Sequence, residues 1–253
     1  MSIGFSSHAP LPFNRPWAMK AERLPEYLAT INSLRTKQPP LEVYSGLEVD
    51  YIPNKISPAK YSSQLDYTIG SIHFVDQYAD GRPWEIDNTY DVFLQGLQNI
   101  FHNNVQEAIC RYFALTREMI QESEPTIVGH LDKIKMHNRN HSFFQEDDPW
   151  YRNEIMETLK VISKAGTIVE VNTRGIYQRK TQETYPSKWI LELIHQMEIP
   201  ITLSSDAHHP DDLITSFAET AHVLRNIGFV AINTLHEGKW KPLAFNEYGI
   251  QYR

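Results

Sequence analysis

The chain has 253 residues, 41% of them hydrophobic and 22% charged, with a net charge of -7. That is enough for one sizeable core, and barrels of this length form single domains. The acidic balance supplies no basic footprint for nucleic acid, no apolar run reaches the roughly 20 residues that span a bilayer, and the lone Cys110 rules out an internal disulfide framework.

Short β-branched runs alternate with helical stretches along the chain. The first run, 3–7, leads to His8. The second, 41–48, ends at Glu48, and the third, 67–73, ends at His73. A long helical pattern over 91–120 follows, with Gly96 or the Asn103-Asn104 pair as its expected break. Run 126–130 ends at His130, and a helix over 151–165 leads to run 167–172, which ends at Asn172. A helix over 188–196 feeds run 201–206, ending at Asp206 with His208 just beyond. A helix over 216–228 closes the pattern, and the remainder, with His236, reads as a tail. Without a repeat or a Gly/Ser linker, residues 1–253 read as a single domain.

Strands alternating with helices predict a parallel α/β sheet, wound open or closed as a barrel. The strand ends favour a barrel. In a (β/α) barrel every strand C-terminus converges on one face, whereas an open sheet gathers ligands mainly at its switch point. One histidine at a strand end is usually a hydrogen-bonded structural group, and a lone Glu48 could pair with a nearby Lys or Arg. Asp206 and His208, two residues apart on an extended backbone, would point the same way. Taken together, His, Glu and Asp at successive strand ends point to a shared cluster of divalent ions, which imidazole and carboxylate suit. Such clusters generate hydroxide near neutral pH and clamp phosphoryl oxygens, so metal-assisted hydrolysis is the expected reaction class.

Six segments carry a resemblance. Ser7-His8-Ala9-Pro10-Leu11-Pro12, Gly46-Leu47-Glu48, Gly70-Ser71-Ile72-His73-Phe74, Gly129-His130-Leu131-Asp132, Glu170-Val171-Asn172-Thr173-Arg174-Gly175 and Ser205-Asp206-Ala207-His208 resemble, in order and spacing, the polymerase and histidinol phosphatase (PHP) family, in its histidinol-phosphatase branch. The resemblance implies a distorted (β/α)7 TIM-like barrel with up to three divalent ions: Zn, Mn or Fe. Glu48, His73 and His130 match the ligands of one ion, Glu48 and Asp206 ligands of a second, and His8 and His208 two ligands of the third. Arg174 matches the residue that binds substrate phosphate, a task its planar guanidinium suits. Asn172 is expected to orient Arg174 or a ligand, or to cap the next helix. The implied reaction is attack of a metal-activated hydroxide on L-histidinol phosphate, in histidine biosynthesis. Asp206 and His208 are both candidates for the proton donor to the leaving group.

The departure from the family pattern is equally plain. Its members open with a strand ending in His-x-His, and no His-x-His occurs in this chain. The sequence therefore reads as a barrel lacking its first strand and helix, N-terminally truncated relative to the family. The expected consequences are one well-built ion site around Glu48, His73 and His130, two half-built sites, and an open sheet edge that promotes homo-oligomers. Two alternatives stand beside the phosphatase reading. One is a PHP phosphoesterase with a different substrate, such as a nucleotide; the other is a non-catalytic metal-binding remnant. The expected partner is a small-molecule phosphate ester, with no nucleic acid and no membrane, in the cytoplasm. The opening MSIGFSSHAP, with neither a basic n-region nor a long apolar h-region, agrees with that location.

Overall fold

The computed structural model describes residues 2–37 and 40–251. In chain order the elements are β1 (Ser2–His8), α1 (Leu24–Lys37), β2 (Glu42–Asp50), β3 (Tyr67–Ser71), β4 (Phe74–Gln77), β5 (Pro83–Glu85), α2 (Tyr90–Phe101), α3 (Val105–Ser123) and β6 (Ile127–Val128). Then come α4 (Pro149–Ala165), β7 (Ile168–Asn172), α5 (Arg174–Tyr177), α6 (Lys188–Gln196), β8 (Ile201–Ser204), α7 (Phe217–Ile227), β9 (Ala231–His236), β10 (Lys239–Asn246) and β11 (Gly249–Ile250).

Six strands form one parallel sheet in the order β1-β2-β3-β6-β7-β8. The sheet curls into a half-barrel, with β1 and β8 as its two edges and both edges lining shared cavities. Its inner strands β2, β3, β6 and β7 are buried on both faces, as parallel strands covered by helices are, while the edge strand β1 stays partly open. One face carries Val128, Val169, Val171 and Ile201 into the main core with α3, α4, α6 and α7, where Phe113, Leu159, Ile190 and Leu224 are fully buried. The concave face carries Tyr44, Tyr67, Ile69, Ile127 and Ile168, and Leu235 and Trp240 of the β9–β10 hairpin pack against them. Glycine makes room there: a Cβ at Gly4 or Gly46 would collide with the Tyr67 ring, which lies across both strands.

The structure decides one sequence expectation and changes two in detail. The 91–120 helix breaks at 102–104, where His102 and Asn103 take left-handed conformations (φ 50 and 65) and Asn104 caps α3 by accepting from the Glu107 N–H at 3.1 Å. Gly96 stays inside α2 because the Trp84 indole occupies the space a Cβ would need. The segment expected as a tail instead forms the three-stranded antiparallel sheet β11-β10-β9. The run at 126–130 is regular strand only over Ile127–Val128, because the chain turns at His130 (φ 24). Among the described residues no helix is long and apolar enough to cross a membrane.

Candidate metal centre

Parallel pairing brings the strand ends to one face. His8 lies opposite Glu48 in the β1–β2 register, and Glu48 opposite Ile69 in β2–β3, so the residues just beyond β3 and β6 rise beside them. Glu48 is the hub. One of its oxygens lies 3.0 Å from His130 Nε2 and 3.5 Å from His73 Nε2; the other lies 3.5 Å from His8 Nδ1. Ligand atoms of Glu48, His73 and His130 lie within 4.8 Å of one another, as do those of His8, Asp50 and His73.

These residues fit a divalent ion. Buried Nδ1 atoms of His8 and His130 have no hydrogen-bond partner, the His8–Glu48 approach lacking hydrogen-bond geometry. Leaving a buried polar atom unsatisfied costs about 1–3 kcal/mol, which a ligand would relieve. The mixture of imidazole and carboxylate suits zinc, manganese or iron. The electrostatics agree. Burial pushes the Glu48 carboxyl up, but His8, His73 and His130 together hold it well below the usual carboxylate range. Burial alone would lower His73; the carboxylates of Asp50 and Asp87 instead raise it to about 9. His130 is lowered, mainly by burial and then by the Lys133 charge.

Four further residues join this wall. Asp50 accepts from His73 Nδ1 at 2.8 Å and so turns Nε2 toward Glu48, as second-layer carboxylates do for metal-bound imidazoles. Its signal in the sequence is the Glu48-Val49-Asp50 spacing, which places both carboxylates on one face of β2. Glu170 accepts from the His130 backbone N–H at 2.7 Å, and burial, then the Asp206 and Glu48 charges, raise its carboxyl to about 7. Glu170 had the same signal, two residues before Asn172. Lys133 lies 2.9 Å from Asp87 and 3.4 Å from His73 Nε2. Asp87 follows β5 in an irregular segment, away from any strand of the main sheet, so no sequence period marks it.

The facing wall comes from β7 and the segment after β8. Although the N-cap of α5 is Thr173, Asn172 bridges the wall. Its Nδ2 donates to Glu170 at 3.1 Å and Asp206 at 3.3 Å, while its Oδ1 accepts from the Arg174 N–H at 2.9 Å, at the start of α5. Arg174 Nη1 donates to the Asp206 carbonyl at 2.7 Å and to the Tyr177 hydroxyl at 3.2 Å. Asp206 itself is left-handed (φ 49), a strained setting for a residue with a side chain. His208 is half-exposed, with Nδ1 3.0 Å from the Asp206 carbonyl. A carbonyl only accepts, so Nδ1 carries the proton and Nε2 is left open.

His8, Glu48, His130, Asn172, Asp206 and His208 line one cavity of about 650 Å³. His73 joins it through Glu48, and Arg174 through Asp206. The His8 and His208 rings are 6.1 Å apart across the cavity. Among the described residues, no three ligand atoms within 4.8 Å include Asp206 or His208. His209, next to His208, also lines this cavity, whereas His137 lies 2.9 Å from the Asn88 carbonyl and against Phe93, and His195 packs on Phe229.

Known proteins place this arrangement. The PHP domain model matches residues 1–174. A probable histidinol-phosphatase of Deinococcus radiodurans is 28% identical over 244 residues, covering 94% of this chain and 86% of the relative. A probable histidinol-phosphatase of Schizosaccharomyces pombe is 24% identical over 205 residues, covering 78% of this chain and 64% of the relative. Two crystal structures share the fold. One is a Listeria monocytogenes protein assigned as a histidinol phosphatase (TM-score 0.73, 20% identity, 86% of this chain and 88% of that one). The other is the histidinol phosphate phosphatase of Lactococcus lactis, complexed with zinc, L-histidinol and phosphate (TM-score 0.66, 21% identity, 95% of this chain and 87% of that one). With most of its length matched by that model and its half-barrel shared with these structures, the chain belongs to the PHP domain family.

Proposed function

We propose that the chain is a metal-dependent phosphatase that hydrolyses L-histidinol phosphate to L-histidinol, in the cytoplasm and within histidine biosynthesis. The observation that carries this reading is the convergence of His8, His73 and His130 on Glu48, beside Asp206 and Arg174, at one end of a half-barrel. The relatives named histidinol-phosphatase support the substrate, and the zinc, L-histidinol and phosphate of the Lactococcus lactis complex support the cofactor class.

Glu48, His73 and His130 would hold the best-built ion site, with Asp50 fixing the His73 ring. Asp206 and His208 would complete further sites or serve the leaving group. A bound divalent ion supplies Lewis acidity and lets water act as a nucleophile at neutral pH. The protein's own groups do the rest. Arg174, tethered by the Asp206 carbonyl and Tyr177, binds the phosphoryl oxygens and neutralises charge that grows on them as the ester breaks. Asn172 keeps that arginine and the Asp206 carboxylate in register. Asp206 and His208, joined at the Asp206 carbonyl, border the cavity where the departing alkoxide takes up its proton, and either is the candidate donor.

The test is release of inorganic phosphate from L-histidinol phosphate by purified protein loaded in turn with zinc, manganese and iron. Turnover that chelation abolishes and metal restores is the expected result. Turnover of an aryl phosphate but not L-histidinol phosphate would reassign the substrate. No turnover of any monoester by protein carrying metal would end the phosphatase reading.

A further inference from the structure

Trp17 sits at the mouth of the cavity, packed against His8 and His73 of the metal centre without offering an ion a ligand. It lines the cavity with His8 and Glu48, and it is 36% exposed. Indoles are large apolar groups that normally gain stability by burial, yet this one stays partly exposed beside the cavity. It is also held in place. Its Nε1–H donates to Glu85 at 3.0 Å, and Glu85 in turn accepts from Arg15 at 3.3 Å and Asn88 at 3.2 Å. Phe74 stacks beneath it at 6.1 Å with an interplanar angle of 13°. The Arg15 guanidinium lies 5.6 Å over the Phe74 ring, and the His8 ring is 4.6 Å from the indole.

A fixed, partly exposed aromatic has already lost its rotamer freedom, so a ligand that packs on it does not bear that cost. Donating N–H to a carboxylate makes the indole more electron-rich, which strengthens its attraction for flat cationic groups. Trp17 borders the ion site on the His8 side, 4.6 Å from that ring and 6.0 Å from His73, while Arg174 is anchored on the Asp206 wall. With the phosphoryl group drawn toward Arg174, Trp17 is placed for the organic half of a bound ester. We infer that Trp17 is a specificity residue, a stacking platform for a flat, nitrogen-bearing cationic group on the organic half of the substrate. The inference rests on the phosphatase reading for its orientation but not for its test.

Calorimetric titration with L-histidinol measures the platform without turnover, on wild type, Trp17→Phe and Trp17→Ala. Kinetics on the same proteins give the ratio of kcat/KM for L-histidinol phosphate to that for glycerol 2-phosphate, which has no ring. Trp17→Ala should weaken L-histidinol and lower the ratio by roughly 3- to 30-fold, and Trp17→Phe should recover most of both. Unchanged L-histidinol affinity, or an equal loss on both esters, overturns the inference. If the wild type hydrolyses neither ester, the phosphatase reading fails, while the L-histidinol titration still decides the role of Trp17.

Discussion

The two walls of the cavity are built differently. The β1–β6 wall holds His73, His130 and Asp50 at about 2% exposure each, interlocked around Glu48 by side-chain contacts. The wall beyond β7 and β8 is held through backbone atoms: Arg174 and His208 both lean on the Asp206 carbonyl, and His208 is half-exposed. Buried charges persist only when they are paired or coordinate a metal, and this wall offers imidazole and carboxylate together. Groups anchored by backbone and open to water can exchange partners. The first wall is therefore suited to retain metal, and the second to take up and release an ester.

The largest effect should come from Glu48→Gln. It takes the shared carboxylate from three histidines at once. Metal content should collapse, and kcat/KM should fall by more than about 10³-fold, since several kcal/mol of charge stabilisation goes with the ion. Wild-type metal content in this variant, by elemental analysis, would break the comparison. Next is Arg174→Lys on the other wall. Lysine cannot both hold the Asp206 carbonyl and present a planar fork, so kcat/KM should drop about 10²–10³-fold, the range for losing one preorganised donor. Metal content should not change; if it fell with activity, the walls would not divide the work.

Glu170 lies between the walls, touching the His130 backbone and Asn172. Its carboxyl is raised from 4.5 to about 7, first by burial and then by Asp206 and Glu48. In metal-free protein the native state thus keeps a proton that the unfolded state has lost. The Glu170 contribution to stability is fullest below about pH 4.5 and declines as pH climbs to about 7, by up to about 3 kcal/mol. Glu170→Gln removes that decline. The variant should gain on wild type in urea unfolding between pH 5 and pH 8, and an equal gap at both pH values would refute the assignment.

How much of this was legible in the sequence follows from the same physics. Strand-end residues were readable because a parallel sheet sends every C-terminus to one face, so His8, Glu48, His130, Asn172 and Asp206 could be named in advance. The double role of Asn172 needed coordinates, because one amide serves a helix start and two carboxylates at once. Asp87 and Trp17 come from irregular segments, where neither a period of 2 nor of 3.6 reports direction. The β9–β11 sheet was missed because its alternation is weak: Pro242 interrupts β10, and only Phe245 of that strand is buried.

The smallest and most discriminating effect belongs to Asp50→Asn. Asp50 stands in the wall without lining the cavity; it acts through His73 Nδ1 at 2.8 Å. Asparagine can still accept from Nδ1–H with its carbonyl, so the tautomer and the direction of Nε2 are kept. Only the negative charge behind the ring is lost, and with it part of the basicity of Nε2. Changes of this kind cost about 10- to 100-fold in metal affinity. Zinc competition against a chromogenic chelator should show that loss, while kcat per bound ion at saturating metal stays near wild type. If affinity holds and kcat falls instead, the carboxylate acts in the reaction itself, and the first wall does more than hold metal.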